Sequence, residues 1–425
     1  MAEDPSEKIA ALLADNPDNI CLNTYDPEYY ASLSDEDKPA FLRCLNSGIE
    51  NPDSGMGVYA MQPEDYDRFK PFFAKALAKY HSVAEDAVHV NDWSLEGVEG
   101  LPEDGVLDIA KLGLPELSMR VRVGRNLKAF PLPGAMSKDS RCEMENFMLQ
   151  AFEKLIAMPE YGGKYCSITP GHDLEISSEE YDALVDAHIM FKDMADDPYL
   201  ASAGIAGDWP YGRGCYISED KKFIIWVGVT SQAIYPNARL TSPPICPLRV
   251  ISRPILRDWL CLQEEDHLRI MCMFKGTMLN DVFDRLSGAI TMMDTVAEFA
   301  YSPTYGVVTS CPTNLGTGMR ASVHIKIPNL TSDGSDAKAK EMLKPHGLSV
   351  RGTGGVTRQK QSSSCRVADR LSLTECSCVQ EHTPIGADGT VDISPSARFC
   401  ITEAEIVTAL YTGIVEVMKA EAAAA

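Results

Sequence analysis

The stretch Cys311-Pro312-Thr313-Asn314-Leu315-Gly316-Thr317-Gly318-Met319-Arg320-Ala321-Ser322-Val323-His324-Ile325-Lys326-Ile327 passes from one kind of local structure into another. Its first half is rich in glycine and hydroxyl side chains, which predicts a loop. Its second half alternates, with Ala321, Val323, Ile325 and Ile327 on one side and Ser322, His324 and Lys326 on the other, the period of a half-buried strand. Arg320 stands at the join. A lone cysteine at the end of a strand is most often simply buried. Cys311, however, has Thr313 two residues on, and a hydroxyl there can stabilise a thiolate.

Working outward, Met119 to Val123 has the same alternation, and it places Arg120 and Arg122 on one face about 6.6 Å apart. Two guanidinium forks side by side suit a polyphosphate; taken alone, a solvated basic strand face is the plainer account. Glu264-Glu265-Asp266 stands directly before a third strand, Leu268 to Met273. Three adjacent carboxylates repel one another unless a cation is near, either magnesium or a guanidinium; a polar turn is the plainer account. On that strand His267 and Arg269 share one face. Arg351-Gly352-Thr353-Gly354-Gly355 is a further glycine-rich loop with a single arginine.

The remaining pattern sets the fold class. Gly214 to Val227 reads as a hairpin with a polar turn over Ser218 to Lys222. Asp4 to Asp15 reads as a helix opened by Asp and Ser capping, and Glu64 to His81 carries an aromatic stripe of helical spacing. Thr402-x-x-Glu405 is a capping box ahead of a helix that buries Ile406, Leu410, Ile414 and Met418. Strands that do not alternate regularly with helices predict an α+β protein. It would have a small all-helical N-terminal domain, residues 1–95, and a larger C-terminal domain, 105–425, with an antiparallel sheet flanked by helices. The boundary is expected in the Gly/Pro/acid-rich stretch Leu95 to Asp104.

Composition narrows the class of function. The 425 residues have 45% hydrophobic and 24% charged side chains, the make-up of a soluble globular chain. No apolar run approaches the roughly 20 residues of a membrane span, and no signal peptide is legible at the acidic N-terminus. With 39 basic against 61 acidic residues the net charge is −22, which argues against nucleic acid or anionic membrane as a general partner. The 13 cysteines lack paired metal spacing, so reduced thiols and a cytoplasmic location are expected.

Taken together, these segments resemble the phosphagen (guanidino) kinase family, with the Cys311 to Lys326 stretch close to its signature. The resemblance extends to Arg120-Val121-Arg122-Val123-Gly124-Arg125, to Asp208-Trp209-Pro210-Tyr211-Gly212-Arg213-Gly214 and to the C-terminal helix. It implies reversible transfer of the ATP γ-phosphoryl to a guanidine, with ATP/ADP and Mg²⁺. In that light Arg120, Arg122, Arg269, Arg320 and Arg351 look like the family's phosphate-binding arginines, and His188, His324 and His382 match positions lining the adenosine site. Glu265 and Glu381 match the carboxylates that clamp the guanidinium. Cys311 matches the reactive cysteine beside it. Glu264 and Asp266 are implied in the outer shell of magnesium, through water. Ser54-Gly55-Met56-Gly57-Val58-Tyr59 looks like the guanidino-specificity loop in the short form that suits arginine. The amides of Ser54 to Met56 would hold an α-carboxylate as a nest, and Tyr59 would add a hydrogen bond. L-Arginine is therefore the expected substrate, with taurocyamine and lombricine as alternatives and a kinase for protein arginine as a rival.

Two segments depart from the family pattern: 229–263, between Gly228 and Glu264, and 356–380, between Gly355 and Glu381. The first carries Arg239, Arg249, Arg253 and Arg257 against Asp258; the second carries Arg358, Lys360, Arg366 and Arg370 against Asp369 and Glu375. In an acidic chain both are basic. Each begins with Val, whose codons all open GT, and ends with Gln, one of whose codons is CAG. That fits retained introns translated in frame; genuine surface insertions are the alternative. Because each directly precedes a site glutamate, a chain that still binds nucleotide without turnover is a second expectation.

Overall fold

The computed structural model describes residues 5–102, 104–193, 196–228, 231–232, 263–352, 385–386 and 388–424. The N-terminal region is helical: α1 (Ser6–Asp15), α2 (Ile20–Thr24), α3 (Pro27–Ser32), α4 (Asp37–Glu50), α5 (Asp65–Arg68) and α6 (Lys70–His81). Two expectations need correction. Helix α1 begins at Ser6, and Pro5 ahead of it supplies no side-chain cap. The aromatic stripe is not one helix but α5 and α6, broken at Phe69. Pro71 has no N–H to return to the preceding turn, but it is well suited to the first turn of a new helix.

The rest follows the order β1 (Leu117–Arg125), α7 (Lys138–Ile156), β2 (Gly163–Ser167), α8 (Ser178–Asp186), α9 (Pro198–Ser202), β3 (Gly214–Ser218), β4 (Phe223–Val227), β5 (Ser231–Gln232), β6 (Gln263–Glu264) and β7 (Leu268–Gly276). It continues through α10 (Leu279–Ala297), β8 (Tyr301–Ser302), β9 (Gly306–Val307), β10 (Met319–Lys326), α11 (Ala337–Leu343), β11 (Leu348–Gly352), β12 (Thr390–Pro395) and α12 (Glu403–Ala423). An eight-stranded sheet runs β11-β12-β10-β1-β7-β4-β3-β2, and each neighbouring pair is antiparallel. This is the expected α+β fold. Among the described residues no helix is long and apolar enough to cross a membrane.

The period-two alternation of the strands sorts the two faces of the sheet. Met119, Val121, Val123, Ile270, Ala321, Val323, Val350 and Ile393 pack into one core with α7, α10 and α12. Their alternates, Arg120, Arg122, Arg269, Arg320 and Arg351, therefore share the opposite face. A second core joins the N-terminal helices to the loops around that face, with Phe41, Tyr66, Phe69 and Phe73 packed among Tyr305, Cys311, Leu315 and Phe399.

Two buried histidines, His89 and His267, and the half-buried His81 tie these layers. His267 accepts from the Leu127 N–H through Nδ1 and donates through Nε2 to the Pro131 carbonyl. Burial pushes it down to about 3, and pushes His81 and His89 down to about 4. The unfolded chain protonates these rings near pH 6.5, whereas the fold keeps them neutral. The unfolded state thus binds more protons between about pH 4 and 6.5, and stability falls on acidification. Each histidine is expected to remove about 2 kcal/mol between pH 7 and 5. Urea midpoints at those two pH values check this, and an unchanged midpoint would contradict it.

Candidate active site

Five strands bring the arginines together. Arg122 of β1 stands opposite Arg320 of β10 in the antiparallel register, and Gly124 stands opposite Arg269 of β7. Arg351 of β11 faces Asp392 of β12, which also faces His324 of β10. The Arg320 Nη2 donates to Ser394 Oγ at 3.1 Å, and the guanidinium of Arg269 lies over the Trp226 ring at 5.0 Å. The indole N–H of Trp226 donates to the Ile189 carbonyl at 2.6 Å. This bond links Arg269 to the turn that holds His188, an exposed residue in left-handed conformation, φ 58°. His324 is half-exposed, with Nε2 3.6 Å from Asp392.

Electrostatically this face is frustrated. Burial, and then the like charges of Arg122, Arg351 and Arg398, hold Arg320 well below the ordinary guanidinium range. Asp392 acts in the opposite sense on Arg320 as the smallest of these influences, and a cluster of cations of this kind is relieved by a polyanion. Arg398 is a further member that the sequence reading missed. With Arg122, Gly124, Asn314, Gly318 and Arg320 it lines one cleft. As a single arginine in the turn before α12 it carries no local motif, and only its position beside Arg320 marks it.

A second group forms beside the arginines. Glu265 and Cys311 are buried, and the Cys311 Sγ lies 3.2 Å from the Thr313 hydroxyl. Asp266 explains how they come together. Its Oδ1 accepts from Asn126 Nδ2 at 2.6 Å and from the Ser310 N–H at 2.8 Å, so it fastens the residue before Cys311 to the residue after Glu265. The Ser310 carbonyl then accepts from the Ala60 N–H at 2.7 Å, and the Thr309 carbonyl accepts from the Tyr66 hydroxyl at 2.9 Å. The Ser54–Tyr59 loop is thereby strapped to the Cys311 turn. Ser54, Met56 and Tyr59 are buried, and Gly55 is half-buried.

Of the three amides expected to form the nest, that of Ser54 is already engaged. The Ser54 N–H already donates to the Asn51 carbonyl, whereas the amides of Gly55, Met56 and Gly57 meet no acceptor among the described residues. Glu381 and His382 lie outside the described residues, as does the Glu264 side chain. Among the described residues no three His, Cys, Asp or Glu side chains converge to cage a metal. With Oδ1 of Asp266 engaged as described, the donor set fits an ion carried in by its ligand and held through water.

Gly124 is required by close approach: a Cβ there would stand 2.4 Å from Asp266 Oδ2. Gly124→Ala is expected to push Asp266 off Ser310, displace the Cys311 turn and lower turnover about 100-fold. Steady-state kinetics check this, and a fall of less than threefold would refute the Asp266 linkage.

Comparison with known proteins agrees with this geometry. The family model "ATP:guanido phosphotransferase, C-terminal catalytic domain" matches residues 143–232 and 259–385, and the N-terminal domain model matches 15–77. The unmatched gap falls inside the segment 229–263, while the match runs through 356–380. The chain is 33% identical to arginine kinase Oct f 2 of Amphioctopus fangsiao over 89% of this chain and 86% of that one. It is 29% identical to taurocyamine kinase of Schistosoma mansoni over 89% of this chain and 40% of that one. Among solved structures, the duplicated taurocyamine kinase from Schistosoma mansoni with bound transition state analog components superposes at a TM-score of 0.68. There the identity is 25%, with 99% of this chain and 49% of that one covered.

Proposed function

Because the chain belongs to the ATP:guanido phosphotransferase family, we propose that its guanidino substrate is L-arginine, phosphorylated reversibly to phosphoarginine with ADP as co-product. The observation that carries this reading is the short Ser54–Tyr59 loop beside the Cys311 turn, whose Gly55, Met56 and Gly57 amides meet no acceptor among the described residues. A carboxylate is the group that successive free amides recognise. The arginine kinase of Amphioctopus fangsiao, at 33% identity, supports the same choice.

In this reading the nucleotide phosphates lie on the face formed by Arg120, Arg122, Arg269, Arg320 and Arg351, with Arg398 beside them. His188, His324 and His382 line the adenosine. Charge neutralisation and alignment do most of the work in phosphoryl transfer. Glu265 and Glu381 clamp the guanidinium, aim its nitrogen along the line of the leaving oxygen, and one of them takes the proton as the N–P bond forms. Cys311, as a thiolate beside Thr313, aligns the guanidinium electrostatically and forms no bond. When bound, Mg²⁺ would supply positive charge to the phosphates. Glu264 would hold it through water, with Asp266 ordering the turn behind it.

The test is ADP formation from MgATP with L-arginine, taurocyamine, lombricine and an arginine-containing peptide. The highest kcat/KM is expected for L-arginine. A higher value for taurocyamine or lombricine would reassign the substrate. Activity on the peptide that free arginine fails to compete away would overturn the small-molecule reading.

A further inference from the structure

The loop that offers its amides is held by a device the reaction itself does not use. Asn19 is 2% exposed and does two jobs. Its Oδ1 accepts from the Leu22 N–H at 3.1 Å, which caps α2. Its Nδ2 donates to the Pro52 carbonyl at 3.0 Å and to the Gly48 carbonyl at 3.4 Å. The first two amides of α2, which have no partner inside the helix, donate onward: Ile20 N–H to the Gly55 carbonyl at 3.1 Å, and Cys21 N–H to the Met56 carbonyl at 3.0 Å. The Gly57 carbonyl is taken by the Gly48 N–H at 2.8 Å. Three successive carbonyls of the loop are thus fixed, two by α2 and the third by α4.

Peptide geometry sets the consequence. In a trans peptide the N–H points opposite to the preceding C=O. With the carbonyls of Gly55 and Met56 bound to α2, the amides of Met56 and Gly57 face away from it. Both residues are buried, yet neither amide has an acceptor among the described residues. Buried backbone donors nearly always find one, so this pair points to an anionic ligand group.

We propose that Asn19 and the first turn of α2 are the positioning device that sets substrate specificity, by presenting the Met56 and Gly57 amides to the carboxylate of a guanidino amino acid. The inference rests on reading this loop as the guanidino-substrate loop. Asn19 is a positioning residue and touches no substrate.

Two variants of the full chain test it. Asn19→Ser keeps an oxygen to cap α2 and removes the amide that grips Pro52 and Gly48. Ile20→Pro removes the donor to Gly55 at a helix position that favours proline, and Asn19 before it is already extended, with φ −71° and ψ 114°. The readout is the dissociation constant, by calorimetry, of L-arginine and of agmatine, the same molecule without its carboxylate. Each variant is expected to weaken L-arginine about tenfold and to leave agmatine unchanged. Equal weakening of both ligands, or no weakening of L-arginine, would overturn the device. If the unaltered chain binds agmatine as tightly as L-arginine, the reading of the loop itself fails, and that outcome is distinct from the other two.

Discussion

Arg320→Met is expected to lower phosphoryl transfer at least a thousandfold, by about the amount a transition-state arginine contributes, and to raise the melting temperature of the nucleotide-free chain. The two effects have one cause. Arg320 is on the sheet face opposite the main core, in register with Arg122, and Arg122, Arg351 and Arg398 all depress its protonation. Among the described residues its hydrogen-bond partner is the neutral Ser394 hydroxyl at 3.1 Å, and the Asp392 carboxylate offsets the three arginines only in part. Without ligand, the fold therefore holds a desolvated cation among cations. Replacing a buried charge with an apolar side chain of similar volume is often neutral or stabilising by about 1–4 kcal/mol, and the like-charge neighbours favour the stabilising outcome. The same repulsion is what a triphosphate relieves, so the strain held by the free protein becomes affinity for the transferring group. Thermal unfolding and ADP formation are measured on one preparation. A variant that loses both stability and activity would show that Arg320 is needed for folding, and the charge argument would fail.

The sequence made some of this legible, and physical reasons separate what it showed from what it concealed. Strands were readable where one face is buried: Met119 to Val123 and Ala321 to Ile327 alternate because one side meets the core and the other carries arginine, serine, histidine and lysine. Register was not readable, because the pairing of Arg122 with Arg320 joins residues far apart in the chain and no local pattern encodes it. The acids Glu264-Glu265-Asp266 drew attention as a charge cluster. Their difference in role lay hidden, since Asp266 is set apart by Asn126 and by an amide from the Cys311 turn. Which amides of the Ser54–Tyr59 loop are spoken for is also hidden, because the Ser54 N–H goes to a turn bond with Asn51 that composition does not reveal. Arg398 is illegible for a similar reason: a lone arginine in a turn is ordinary until its neighbours are known.

Removing residues 229–263 and 356–380 is expected to raise kcat/KM at least about 100-fold, with little change in melting temperature. Lengthening a connection costs the fold little, roughly 0.6 kcal/mol for each doubling of loop length. The first segment leaves after Gly228, whose N–H donates to the His267 carbonyl at 2.8 Å. Beyond it the pairing Ser231 with Glu264 continues the same register as Val227 with Leu268, so the ladder that carries Arg269 is intact with the segment present. Stability is therefore not where the effect should appear. Joined directly, Gly228 and His267 would enclose Glu264–Asp266 alone, a three-residue hairpin loop of a common kind, with Gly228 at φ 66° able to make the turn. Glu265 would then be fixed by a tight turn instead of by the end of a long connection. The second segment lies within the connection between β11 and β12, which are neighbours in the sheet through Arg351 and Asp392. Glu381 follows that segment, and removing its 25 residues would leave Glu381 five positions after Arg351 along the chain. In-line transfer tolerates little error in either carboxylate, and displacements on the order of 1 Å can cost about 100-fold. ADP formation by the full and shortened chains, measured beside their melting curves, decides the matter. Equal turnover would show that both glutamates are placed by contacts the segments do not disturb. A shortened chain that no longer folds would show that the segments belong to the native protein.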